Sequence, residues 1–103
     1  MRTANVFVND ELAGHLTEKD DGTYAFYYLP EYKGHPVSLT MPVKRRNFSF
    51  EEFPPFFEGL LPEGIQLEGL LRQNKLDRKD YFGQLLAVGE ELVGAVNIKK
   101  VDE

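Results

Sequence analysis

His15 and His35 are the only two histidines in the chain, and imidazole is the side chain best suited to proton transfer or metal ligation near neutral pH. They fall in different predicted elements, with no HxxxH or HxxE spacing around either, so nothing sets two ligands on one face. A strand or surface role accounts for both. Ser38 and Ser49 are the only serines, and neither stands in the G-x-S-x-G elbow that exposes a nucleophile on a strained turn. The spacings Gly59 to Gly64 and Gly89 to Gly94 match the start of a phosphate-binding loop. That loop continues with Lys and then Ser or Thr to reach phosphate and magnesium, whereas here Ile65-Gln66 and Ala95-Val96 follow. Paired carboxylates at Glu51-Glu52 and Glu90-Glu91 would need a cleft to divide acid from base work, and solvated turns explain them more simply. No catalytic, cofactor-binding or metal-ligating residue is assigned. Lys44-Arg45-Arg46 could meet phosphate or an acidic partner, although three charges after a strand are the ordinary composition of a solvated connection.

The whole composition narrows the function further. Seventeen acidic against twelve basic residues give a net charge of −5, which provides no uniform field for direct binding to nucleic acid or an anionic membrane. There is no cysteine, which removes disulfides and thiolate chemistry and fits a cytoplasmic home. Met1 to Asn5 lacks the apolar core of a secretory signal, and no apolar run approaches the roughly 20 residues of a membrane span. With 42% hydrophobic, 13% aromatic and 28% charged residues, residues 1–103 read as one folded domain with a single small core.

Residues 4–8 and 12–17 are predicted strands around the turn Asn9-Asp10-Glu11. After Asp21-Gly22, the β-branched and aromatic run 23–29 predicts a strand that Pro30 ends. The alternation Val37-Ser38-Leu39-Thr40-Met41 predicts a fourth. The period then changes: Phe53, Phe56, Phe57, Leu60 and Leu61 mark one apolar face of a helix starting at about residue 53. Ser49 with Glu52 reads as a capping box at its entry, despite Pro54-Pro55. Pro62 and Gly64 break this helix. Leu67, Leu70, Leu71 and Asn74 outline a second, and Asp77 is expected to cap a third over 78–88. There Tyr81, Phe82, Leu85, Leu86 and Val88 face inward and Gly89 is the stop. Residues 92–98 predict the last strand. The fold class is α+β: a small curved five-stranded antiparallel sheet, a partly closed barrel, with three short helices.

The break between the first two helices is the segment most suited to display. Leu61, Pro62, Glu63, Gly64, Ile65 and Gln66 form it, with the apolar Ile65 directly after Pro-Glu-Gly. Two readings of Ile65 stand: an outward side chain awaiting a partner, or the first core position of the second helix.

The segments Phe56-Phe57-Glu58-Gly59-Leu60-Leu61-Pro62-Glu63-Gly64, Asp80 to Gly89 and Val93 to Ile98, together with the basic loop after Leu39-Thr40-Met41-Pro42, occur in an order that resembles the N-terminal subdomain of HipA-type toxin kinases. The resemblance spans nearly the whole chain. In relatives a kinase core follows, and 103 residues committed to a sheet and three helices cannot also place ATP, two metals and a catalytic Asp. The chain thus resembles the small HipS-like antitoxins of tripartite HipBST systems. That likeness implies an antitoxin, not an enzyme, which binds and inhibits a HipT-like Ser/Thr kinase toxin in trans through the 61–66 loop. A HipB-like helix-turn-helix protein is the implied second partner, met directly or in a ternary complex. Relatives commonly carry a bulky aromatic, often Trp, where this chain has Ile65. The alternatives are a non-inhibitory assembly module bridging kinase and DNA-binding partner, and the N-terminal piece of a longer HipA-like kinase.

Overall fold

The computed structural model describes residues 1–92 and 94–101. Alternating side chains build its sheet. β1 (Arg2–Val8) points Ala4, Val6 and Val8 to one side, where they are buried, and β2 (Glu11–Glu18) adds Ala13 and Leu16. β3 (Tyr24–Tyr28) adds Phe26 and Tyr28, β4 (Asn47–Phe50) adds Phe48, and β5 (Val96–Lys100) adds Ile98. All neighbours are antiparallel in the order β4-β3-β2-β1-β5, with a register shift between Val6 and Phe7. The five-stranded curved sheet is as expected. It remains open, since β4 and β5 are its edges and do not pair with each other.

The fourth strand is not where the sequence alternation placed it. Residues 37–41 instead form a tight turn: Met41 N–H donates to the Ser38 carbonyl at 3.0 Å, and an isolated Ser38–Met41 bridge closes it. Thr40 N–H donates to Ser38 Oγ at 3.3 Å, and a tyrosine takes one backbone group at each end of the turn. The buried Tyr28 hydroxyl accepts from Val37 N–H at 2.9 Å and donates to the Met41 carbonyl, which ties the two ends of the turn together instead of leaving them to a ladder. Leu39, on the same alternation as the buried Val37 and Met41, lies at the turn's tip and is 96% exposed. The true strand, Asn47–Phe50, was hidden because Ser49 and Glu52 imitate a helix entry. Its own alternation, with Phe48 and Phe50 on one side and Asn47 and Ser49 on the other, is the stronger signal.

Three helices cover the apolar face. α1 (Pro55–Glu58) is one turn, with Pro54 at its N-cap and Pro55 at its first position, where a missing N–H costs nothing. Phe53 therefore precedes the helix instead of starting it, yet it is buried, and its ring meets Tyr24 and Tyr81 at 5.3 and 5.7 Å. Phe57 is completely buried, 6.0 Å from the ring of Phe26. α2 (Gly64–Asn74) buries no residue fully. Its Leu67, Leu70 and Leu71 are half-buried.

α3 (Tyr81–Val88) begins later than predicted, because its cap is Asp80 and not Asp77. Asp80 Oδ1 accepts from Gly83 N–H at 3.0 Å, while Asp77 Oδ1 accepts from Lys79 N–H and shapes the turn before the helix. Phe82 and Leu85 face inward as expected, but Tyr81 stays 38% exposed at the rim. The buried Gln84 takes an inner position instead, its Nε2 donating to the carbonyls of Asp77 and Arg78 at 3.2 and 2.9 Å. Gly89 is not a left-handed stop: it keeps helical φ and ψ and continues into the 3-10 turn Gly89–Glu91. A Cβ there would lie 2.3 Å from the Ile98 carbonyl oxygen, so only glycine lets α3 cross β5 so closely. The last strand starts at Val96, four residues after the predicted Leu92; Val93, in the predicted range, lies outside the described residues.

One polar cluster ties the first strand to the last helix. Arg2 donates to Glu18 at 2.8 and 3.0 Å and to Asp80 at 2.7 and 3.3 Å, and its guanidinium lies 5.1 Å from the centre of the Phe82 ring. The hydrogen bonds from Arg2 hold the Asp80 carboxyl below the usual carboxylate range, reinforced by the Gly83 N–H against the opposing effect of burial. A lowered folded-state pKa means the unfolded chain takes up the proton first. The stabilisation is therefore complete above the unfolded value of about 3.9 and is lost as pH falls through the folded one. Asp80→Ala removes cap and ion pair together, and urea melts at neutral pH are expected to show a loss of about 1–2 kcal/mol. The gap between wild type and variant is expected to narrow at pH 3 and below. In hydrogen exchange, the amides of 68–74 are expected to exchange before those of the core-facing α3, because α2 buries so little.

Candidate functional site

The predicted display segment lies between a fixed base and an exposed tip. At its base, Gly59 N–H donates to the Pro55 carbonyl, Leu60 N–H to Phe57 and Leu61 N–H to Glu58, all at 3.0–3.1 Å, so the chain leaves α1 in successive tight turns. Leu60 and Leu61 pack against the core from this base. Leu61 and Pro62 are half-buried, whereas Glu63, Gly64, Ile65 and Gln66 are exposed. The six residues thus form one continuous ridge, anchored at Leu61 and projecting from Glu63 onward.

Gly64 makes the projection possible. Its φ of +59 opens α2 directly after the extended Glu63, and a side chain there would be strained even though open space surrounds the position. The following residue, Ile65, points away from the domain and is 90% exposed. That decides between its two sequence readings in favour of the outward one. An isoleucine in water forgoes roughly 2 kcal/mol of the burial free energy it could gain elsewhere. The helix behind it is held at its far end: Lys75 adopts the left-handed conformation at φ 54 and donates its N–H to the Leu71 carbonyl, while Asn74 Nδ2 donates to Leu70. Arg78 forms an ion pair with Glu68 across the gap to the next turn.

The other candidates for chemistry lie apart from one another. His15 is half-buried on β2 with its ring 5.3 Å from Tyr27, and its Nδ1 has no hydrogen-bond partner among the described residues. His35 sits in the exposed loop after β3, where its carbonyl accepts from the Tyr32 hydroxyl at 2.6 Å. Ser38 Oγ lies 3.0 Å from Thr40 Oγ1 within the turn, and Ser49 is exposed on β4. Among the described residues, no group of three histidine or carboxylate side chains could hold a metal ion. No helix among them is long and apolar enough to cross a membrane.

The basic loop has structural duties. Arg46 takes φ 68 so that its Nη1 can donate to the carbonyls of Leu29 and Tyr32, both at 2.9 Å, and Arg45 lies 5.2 Å from the centre of the Phe48 ring. A second outward apolar side chain, Leu39, escaped the sequence reading because its alternation with Val37 and Met41 matched a strand. The Ser38-Leu39-Thr40 sequence, with two hydroxyls flanking the leucine, was the signal of a turn.

Relatives place this geometry in context. A protein of Haemophilus influenzae, described only as uncharacterized, is 35% identical over 100 residues, spanning 97% of this chain and 93% of its own length. A putative kinase of Sinorhizobium fredii, Y4mE, is 28% identical over 107 aligned positions, which take in all of this chain but 26% of the kinase. Among solved structures, the N-terminal domain of HipA toxin superposes with a TM-score of 0.80 at 30% identity, covering 100% of this chain and 95% of that one. A chain of a Shewanella oneidensis toxin–antitoxin complex of HipA, HipB and its operator DNA shares the fold, with a TM-score of 0.73 at 20% identity over 97% of this chain and 24% of that one. The characteristic HipA N-terminal domain pattern runs through residues 4–99: this chain belongs to the HipA N-terminal domain family.

Proposed function

We propose that this domain is the antitoxin of a cytoplasmic toxin–antitoxin system, a HipS-like protein without catalysis of its own. It binds a HipT- or HipA-like Ser/Thr kinase supplied in trans and inhibits it through the ridge Leu61, Pro62, Glu63, Gly64, Ile65 and Gln66. The observation that carries this reading is Ile65, a large apolar side chain 90% exposed at the tip of a ridge whose base is locked into the core. A residue so placed adds little to the stability of the domain and suits a desolvated pocket on a partner. Leu61 and the tight turns after α1 hold it in position, which limits the entropy lost on binding. Family membership supports a role beside a toxin kinase, and a HipB-like DNA-binding protein is the expected third component of the assembly.

Ile65→Asp places a charge where the kinase would have to desolvate it. The concentration of this protein that halves autophosphorylation of the cognate kinase is expected to rise by at least about tenfold. Stability in urea is expected to shift by no more than about 0.5 kcal/mol, as for other surface changes. Leu39→Asp, equally exposed but outside the ridge, is the control and leaves inhibition intact. A folded Ile65→Asp protein that inhibits like wild type would sink the ridge model. If wild-type protein is captured with the kinase and a HipB-like partner but leaves kinase rates unchanged, the role is assembly and not inhibition.

A further inference from the structure

The two edges of the sheet differ in a way that the ridge does not explain. β5 ends in Lys99 and Lys100, charges that discourage pairing with another strand. β4, at the opposite edge, is Asn-Phe-Ser-Phe, without a charge or a proline. Its hydrogen-bond phase can be read from its partner: Tyr28 N–H donates to the Arg46 carbonyl at 2.9 Å, and the register continues Phe26 with Phe48 and Tyr24 with Phe50. Antiparallel ladders alternate, so the backbone groups of Asn47 and Ser49 point away from β3. Both residues are exposed. Alongside lies a groove of about 430 Å³, whose lining includes Phe48, Phe50, Pro54 and Phe56 with Arg45 and Ser49. It lies between the edge strand and α1.

We propose that this edge is a self-association surface, occupied by β4 of a second copy in antiparallel register to form a continuous ten-stranded sheet. Charge complementarity identifies the occupant. The edge is basic at its start, Lys44-Arg45-Arg46, and acidic at its end, Glu51-Glu52. A two-fold axis through the Ser49 pair sets the basic end of each copy, Lys44-Arg45, against the acidic end, Glu51-Glu52, of the other. The same register pairs the outward backbone of Asn47 with residue 51 of the other copy. It also sets Phe48 opposite Phe50 on the core side, where each copy's aromatic rings close the groove of its neighbour. Parity, charge and apolar surface agree on this one alignment, although a net charge of −5 on each chain opposes association in general.

Sedimentation equilibrium on the full chain between about 10 μM and about 1 mM, the range of small interfaces, tests this. A reversible monomer–dimer equilibrium is expected. Ser49→Pro removes an edge N–H that β3 does not use, and Glu52→Lys sets like charges against each other. Each is expected to weaken the dimer by at least about tenfold. Amide exchange gives a reading independent of the variants: protection of the Ser49 N–H rises with protein concentration. A chain that is monomeric at 1 mM overturns the proposal, as does a dimer indifferent to both substitutions. If Ser49→Pro fails to fold, Glu52→Lys and the Ser49 amide decide.

Discussion

A single sheet with one apolar face must be covered, and the shortness of the chain decides how. Phe57 from a one-turn helix and Phe82 with Leu85 from an eight-residue helix close over Phe26, Leu16 and Ile98, all of them fully buried. Each contributes on the order of 2–3 kcal/mol of transfer free energy, which makes these three side chains the hinge of the fold. The consequences run outward from them. Pro54-Pro55 must stop β4 and start α1 within a few residues so that Phe57 can reach the sheet. Gly89 must lack a side chain so that α3 can approach β5. Once α1 and α3 have done this, the core is closed and α2 has no buried position left to fill.

Electrostatics fixes what packing leaves loose. Arg2 is at the very start of the chain and Asp80 stands at the entrance to α3, yet with Glu18 they form one cluster above Phe82. Asp80 serves the helix terminus and the guanidinium with the same carboxylate. This double use explains why Asp80 and not Asp77 is the cap: only Asp80 has a cation placed to compensate its partial burial. Tyr28 plays the equivalent part at the other end of β3, where its hydroxyl holds both ends of the 37–41 segment and converts an apparent strand into a turn.

Local period and punctuation made most of the fold legible in the sequence. The first three strands, the second helix and the α+β class follow from alternation and from Gly and Pro breaks, and the apolar stripe of 53–61 correctly marked Phe53 and Phe57 as inward. What failed did so where two local signals competed. Ser49-x-x-Glu52 outweighed the alternation of Phe48 and Phe50, and Val37-Leu39-Met41 outweighed the turn chemistry around Leu39. Those conflicts are settled by tertiary partners, Tyr28 and β3, which no window of sequence contains. The ridge was legible as a break between helices. The direction of Ile65 was not, because an isoleucine after a helix-opening glycine is equally at home in a core.

The physical status of α2 links fold to proposed role. Isolated helices shorter than about 12–15 residues are marginal in water, and most helical stability in proteins comes from burying a face. α2 has 11 residues, none fully buried, and it bears the strain of a non-glycine left-handed residue at Lys75. Its support comes from three half-buried leucines, the contact of Asn74 with Leu70, and the ion pair of Glu68 with Arg78, whose exposure makes it worth little. Its first turn, carrying Ile65, has no side-chain cap and is held from the preceding Leu61. Burying Ile65 against another protein would recover the transfer free energy of a side chain that the anchored Leu61 already holds in place. A ridge fixed at Leu61 and unsatisfied at Ile65 is the arrangement in which a partner's pocket contributes what the domain's own core does not.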